Sequence, residues 1–361
     1  MHRPTVCVLF AALLALQSAR PVQAYESPLV AWGSNGFGEL GLGDTTTRLT
    51  PTAVGFFADT PIAGACGGGY FSLAVASDGA LWALGRNSYG QLGLGDTAAR
   101  SSPTRISALD TRTTIAIAAG MYHSVALTSD NKVWAWGRNA YGQLGLGDTT
   151  NRTSPAEVTA FADKSVVTLA ASNTHTLAIT SDGRLWAWGA NSSGQLGLGY
   201  TSAGVSSPTE VTALAGLTVR RVSAGYYHTI AETEDGRLWA WGKNSNGQLG
   251  LGDTTDRSTP TPVTAFGGMT ITAVSAGCLH TLVNTSDGRL WSFGSNYWGQ
   301  LGLGDTTDRA TPMEVALPGG RSVIAVTAGF AHSIAHASDS TTWAWGSNDS
   351  GQLGLGDTAD R

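Results

Sequence analysis

The chain has 361 residues, with 21 Lys and Arg against 26 Asp and Glu and a formal net charge of −5 at neutral pH. Nucleic-acid binders carry a basic face, whereas here no run of Lys or Arg occurs and Lys132, Lys164 and Lys243 are the only lysines. Nucleic acid is therefore not an expected partner, and three cysteines are too few for a disulfide framework.

Residues 1–24 read as a secretory leader: a short polar start at His2 and Arg3, an apolar run from Val6 to Leu16, and the small-residue cleavage pattern Val22-Gln23-Ala24. The run is too short to span a bilayer, and no later stretch approaches the roughly 18 apolar residues a span needs. The expectation is an exported chain, secreted or periplasmic, with residues 25–361 as its folded domain and no membrane contact after cleavage. Without Arg3 and Arg20 it keeps 19 basic residues against 26 acidic ones, and only Cys66 and Cys278 remain. These two are expected as small buried hydrophobes.

From Leu29 onward one phrase returns. "NAYGQLGLGDTT" from Asn139 recurs in close variants from Asn35, Asn87, Asn191, Asn244, Asn296 and Asn348. One copy could pass for a phosphate loop; seven cannot. Counted on the residue before the glycine that opens each motif, the positions are Trp32, Leu84, Trp136, Trp188, Trp241, Phe293 and Trp345, at intervals of 52, 52, 52, 53, 52 and 52. A period of this length marks a propeller or solenoid, in which each unit buries its faces only against its neighbours.

The interior of the repeat selects the propeller. In "HTLAITSDGRLWAWG" from His175, two short runs rich in strand formers flank Asp182-Gly183, a hairpin signal because the tight turn needs positive φ. Upstream lie the strand-like "VVTLAAS" and the proline-led, edge-like "SPAEV". About four antiparallel strands per repeat, with large residues alternating with alanine, predict sheets packed on both faces, as in a ring of four-stranded blades. Gly145 and Gly147 supply unusual backbone conformations. Asp44/Arg48, Asp96/Arg100, Asp148/Arg152, Asp253/Arg257 and Asp305/Arg309 read as loop-ordering ion pairs. The fourth repeat breaks the pattern, with Tyr200 in the aspartate position and one extra residue.

Repeats of the form "WGxNxxGQLGLGDTTDRSTP" followed by "VSAGxxHTLALTSDGRLWAWG" resemble the regulator of chromosome condensation family over residues 28–361. The resemblance implies an all-β propeller of seven blades in which N- and C-terminal strands share one blade. Six repeats are complete, and the seventh stops at Arg361, about 36 residues short of the period. "LVAWG" from Leu29 reads as the last strand of that blade, its other three strands being absent, and the chain as a fragment or an open ring. Founding members of the family exchange nucleotide on a small nuclear GTPase, and others are interaction modules. A secreted bacterial relative inhibits β-lactamase by binding across it. An export leader in place of a basic tail argues against the exchange activity, which stands as an alternative function.

Candidate chemistry is sparse. His123, His175, His228, His280 and His332 occupy one column of the repeat, with Phe71 in that column of the first. A shared metal needs nitrogens within about 2.1 Å of it, and equivalent positions on sheets roughly 10 Å apart cannot converge so closely. Each histidine is expected to have a structural role, bonded to its own blade's backbone. Ser, His and Asp recur as repeat elements rather than as one constellation, so no enzyme, metal site or cofactor is expected.

Two pairs of positions vary while their neighbours stay fixed. The pair after WGxN contains Phe37, Tyr89, Tyr141 and Trp298, and the pair before the column histidine contains Tyr70, Tyr122, Tyr226, Tyr227 and Phe330. Tyr and Trp are enriched at binding hot spots. By resemblance to the inhibitor, both pairs are expected on one face as a contact surface for a macromolecule, with a protein favoured and a glycan the alternative. A monomer is expected. Sequons at Asn151, Asn191, Asn284 and Asn348 would be open to glycosylation in a eukaryotic secretory pathway.

Overall fold

The computed structural model describes residues 6–7 and 29–361, so the leader reading of residues 1–24 lies outside the described residues except for a two-residue strand. Blade 1 consists of Ile62–Gly67, Phe71–Ala76, Leu81–Gly85 and Arg100–Arg105, hydrogen-bonded in that order. Blade 2 consists of Thr114–Ala119, His123–Thr128, Val133–Gly137 and Arg152–Glu157, and blade 3 of Val166–Ala171, His175–Thr180, Leu185–Asn191 and Ser202–Glu210. Blade 4 runs from Val219–Ala224 through His228–Thr233 and Leu238–Gly242 to Arg257–Pro262, and blade 5 from Ile271–Ala276 through His280–Thr285 and Leu290–Gly294 to Arg309–Val315. Blade 6 has three strands, Val323–Ala328, His332–Ala337 and Thr342–Gly346, and the incomplete seventh sheet joins Val6–Cys7, Val30–Gly33 and Arg48–Ala53. Every pairing is antiparallel, as the short turns require.

The ladder corrects two strand assignments. The proline-led segment does not open a sheet. Arg152–Glu157 pairs back onto Val133–Gly137 (Trp134 with Glu157, Gly137 with Arg152), so it is the outermost strand of the preceding blade. For the same reason Val30–Gly33 is not the last strand of its blade, because Arg48–Ala53 follows it, and the C-terminal strand Thr342–Gly346 belongs to another sheet. Proline is tolerated in the outer strand because only one edge must donate there.

Period-two alternation explains how the blades stack. In the third strand of blade 3, Trp188 and Trp186 face blade 2 and pack with Val125, Leu127, Val133, Ala135 and Leu144. Leu185 and Ala187 face the other way and pack with Val219, Val222 and Trp241 of blade 4. The second strands are buried along their whole length in blades 1 to 5, so both faces are core, as the alanine alternation predicts. Between blades, a short 3-10 turn inserts one apolar side chain beneath the sheet: Phe57, Leu109, Phe161, Leu214 or Phe266.

Gly145 shows how sequence and stacking are linked. It sits at φ +73°, and a Cβ there would lie 2.8 Å from the indole Nε1 of Trp188 on the next blade. Gly145→Ala should therefore cost both left-handed strain and displacement of a packed indole, about 2–5 kcal/mol together. Gly216→Ala, at φ +85° with open space around it, should cost only the strain, about 1–2 kcal/mol. Urea unfolding of the two variants checks the difference, and equal losses would show that the indole does not need the space.

Candidate functional site

In blades 1 to 5 the glycine-rich loop joins the third and fourth strands, and each such loop is tied internally by its asparagine. Asn139 Nδ2 donates to the carbonyl and the carboxylate of Asp148, both at 3.0 Å, while its Oδ1 accepts from Leu144 N at 2.9 Å. Arg152 closes the outside of the loop on Asp148 at 2.6 Å, and Arg361 does the same on Asp357. In the fourth repeat Asn191 Nδ2 donates instead to the Tyr200 carbonyl at 2.8 Å, and the strand ladder extends to Asn191 and Ser202.

The loop then clamps the next blade. The Gln143 carbonyl accepts from Trp188 Nε1 at 2.9 Å and from Thr176 Oγ1 at 2.8 Å, both on blade 3. The Thr176 hydroxyl already donates its hydrogen bond to that carbonyl, so it accepts from His123 Nε2 of blade 2 at 2.9 Å. The same set joins His175 to Thr229 and Gln195, His228 to Thr281 and Gln248, and His280 to Ser333 and Gln300. His123, His175, His228 and His280 thus bind a hydroxyl of the following blade, not their own blade's backbone as expected. Hydroxyl residues in the column after each histidine were the sequence signal for it. Burial holds His123, His175, His228 and His280 neutral, with pKa values pushed down to about 3, and His332 to about 4.

The variable pairs project from this frame at one end of the ring. The turn from first to second strand and the loop from third to fourth strand open on the same end, because consecutive strands alternate in direction. Accordingly Phe37 meets Tyr70 with ring centroids 5.4 Å apart, and Tyr89 meets Tyr122 at 5.3 Å. Tyr226 contacts Tyr227 at 4.5 Å and Phe330 at 5.9 Å, and its hydroxyl donates to Met121 Sδ at 3.4 Å. Met121, Tyr226 and Phe330 belong to blades 2, 4 and 6, so these contacts cross the axis and cap it. Tyr297 and Trp298 pair edge to face at 4.5 Å on the blade 5 loop. Phe37, Tyr141 and Tyr297 are exposed, and Tyr70, Tyr89, Tyr122, Tyr226, Tyr227, Trp298 and Phe330 are half-buried.

The backbone at these positions is fixed without help from the side chain. The amide of Phe37 donates to Glu39 Oε2 at 2.7 Å, and those of Tyr89, Tyr141 and Trp298 donate to the following glutamine Oε1, each at 2.9 Å. Side-chain identity at the second position of the pair is thereby decoupled from loop shape.

Residues 26–218 match the RCC1-like domain, and residues 219–248, 235–283 and 287–336 match the regulator of chromosome condensation (RCC1) repeat. The chain belongs to the RCC1 repeat family. It is 35% identical to the ultraviolet-B receptor UVR8 of Arabidopsis thaliana over 332 residues, 92% of this chain and 75% of that protein. It is 33% identical to the mitochondrial RCC1 domain-containing protein RUG3 of the same plant, covering 91% of this chain and 79% of that protein. Among solved structures it resembles Prp20p of Saccharomyces cerevisiae, described with its binding properties to Gsp1p and histones, at 25% identity and a TM-score of 0.82 over 94% of this chain and 85% of that one.

Within this RCC1-repeat ring, the sequence reading overlooked the position that follows the third strand. Arg86 lies 5.0, 5.6 and 5.3 Å from the ring centroids of Phe37, Tyr70 and Tyr122. Arg138 lies 5.3, 5.9 and 5.6 Å from those of Tyr89, Tyr122 and Tyr141, and Lys243 lies 5.4 Å from that of Tyr227. The signal was available, since this column reads Ser34, Arg86, Arg138, Ala190, Lys243, Ser295 and Ser347. Tyr297, 69% exposed, was also passed over. Cys66 and Cys278 are unbridged thiols whose pKa values burial pushes up to about 12. Of the four sequons, Asn191, Asn284 and Asn348 are buried, and Asn151 is exposed with its Oδ1 accepting from Asn139 N at 2.8 Å.

The depressed histidine pKa values set a pH dependence. Protons bind the unfolded chain from about pH 6.5 downward but bind the folded chain only near 3, so stability is full above pH 6.5 and falls as the pH drops toward 3. Each histidine should contribute about 1.4 kcal/mol per pH unit in that window. His123→Phe, which copies Phe71 of blade 1, should reduce the slope of unfolding free energy between pH 4 and 6 by that amount. Urea titrations across the window test it, and an unchanged slope would mean that His123 is protonated in the fold.

Proposed function

We propose that this chain is a non-enzymatic, exported propeller that binds another protein through the end carrying the variable loops. The observation that carries this reading is the gathering of aromatic side chains from at least five blades on one end, with Phe37, Tyr89, Tyr141 and Trp298 at positions where the loop backbone is held independently of the side chain. Such rings add contact area without being needed for closure, which is what a recognition surface requires. Likeness to Prp20p, described with its binding to Gsp1p and histones, supports the protein-binding class. A glycan is less well suited, because Arg86 and Arg138 already lie against the rings that a sugar would stack on.

Affinity capture from the native extracellular medium tests the reading, using the intact protein and the Tyr227→Ala, Trp298→Ala double variant. Captured proteins should be lost while the far-UV circular dichroism stays unchanged. Retention of every captured protein would remove this end from consideration. Release of labelled GDP from a small GTPase, the exchange-factor alternative, should not be accelerated.

A further inference from the structure

Resting on that reading, we infer that the partner presents an acidic, extended peptide segment, whose carboxylates dock on Arg86 and Arg138 between the aromatic rings. The charge distribution carries the inference. Arg and Lys elsewhere in the described residues, Arg220 apart, are neutralised within the chain: Arg48, Arg100, Arg152, Arg257, Arg309 and Arg361 by their loop aspartates, and others such as Arg105, Arg221, Arg237 and Arg321 by carboxylates of nearby turns or the neighbouring strand. Among the described residues, the cations without a carboxylate partner are Arg86, Arg138, Lys243 and Arg220. Three of these four occupy the same column, on the same end of the ring, against the variable aromatics. A chain with more acidic than basic residues thus leaves three of its four unpaired cations at the proposed contact surface.

Local chemistry narrows the ligand. Arg86 Nε donates to Ser88 Oγ at 2.7 Å, which steadies the side chain and leaves its terminal nitrogens for a carboxylate. Glu39, the acidic group beside Tyr70, does not neutralise it: it is buried, its pKa is raised by desolvation, and it is occupied by Ser34 Oγ and the Phe37 amide. Arg86 and Arg138 lie 5.3 and 5.9 Å from the centroid of one ring, that of Tyr122. Two carboxylates on the same side of an extended strand are about 7 Å apart, a spacing suited to two guanidinium groups that share a ring. Planar guanidinium groups bind carboxylates through two parallel N–H bonds, and the half-buried rings between them suit the methylene stems of the two acidic side chains, which lie on that same side of the strand. A nucleic acid has anionic groups too, but its continuous backbone charge would meet net repulsion from the rest of this acidic chain.

Fluorescence anisotropy with the whole protein tests the inference. The probe is a labelled nine-residue peptide alternating Glu with Leu, its Gln-for-Glu counterpart is the control, and a single-stranded oligonucleotide and heparin are the polyanion arms. The acidic peptide should bind, the Gln peptide should bind at least tenfold more weakly, and binding should weaken as salt rises from 50 to 500 mM. Arg86→Glu with Arg138→Glu should abolish it with melting temperature unchanged, whereas Arg220→Glu, which reverses the unpaired cation at the opposite end, should leave it intact. Equal binding of both peptides, tighter binding of the oligonucleotide or heparin, or equal loss in Arg220→Glu would each overturn the inference. If native captures depend on Tyr227 and Trp298 but survive the Arg86 and Arg138 reversals, the contact surface stands and the acidic segment does not. If they survive the ring variant as well, the surface itself is wrong.

Discussion

The hydrogen-bond cluster in which one blade's glutamine carbonyl receives the next blade's indole and hydroxyl is the joint on which the rest of this ring depends. It is dry, with His123, Thr176, Gln143 and Trp188 all at 0% exposure, and each polar group in it would be costly to leave unpaired. The joint dictates a glycine where the indole crosses the loop, a histidine that must remain neutral, and a hydroxyl residue in the column that follows it. Much of the repeat's sameness is therefore the sameness of one interface used again and again.

That sameness is why so much of the architecture was legible in the amino acids. The 52-residue spacing, Asp182-Gly183 between apolar runs and the alternation of tryptophan with alanine each report local or neighbour-to-neighbour geometry. What they do not report is which neighbour. "SPAEV" looks identical whether it opens one sheet or closes the one before, and only the register of Trp134 against Glu157 decides it. The histidines were misread in the same way, because the column shows that each has a fixed partner but not that the partner is a hydroxyl one blade onward, such as Thr176.

The aromatic end was legible as variation against a constant background, and its positive charge was not. Attention to rings at Phe37, Tyr89 and Tyr141 passed over the column that holds Arg86, Arg138 and Lys243, since single basic residues at exposed positions are ordinary. Their distinction appears only in three dimensions, when nearly every other cation is found opposite a carboxylate and these are found opposite rings. The loops can vary there because Gln91, Gln143 and Gln300 hold the backbone with their side chains. Closure and the proposed recognition thus use different atoms of the same segment.

The joints also have a direction. Gln143 grips Trp188 from 45 residues upstream, whereas the joint that brings the ends of the ring together, Trp32 Nε1 on the Gln352 carbonyl at 3.0 Å, spans 320. In an unstructured chain that longer span would add only about 1.7 kcal/mol of closure entropy. Each blade leaving the ribosome presents a finished loop awaiting the indole of the blade still to come. Assembly in synthesis order would therefore make the last joint the cheapest to form, since by then the intervening sheets have already brought its two halves together.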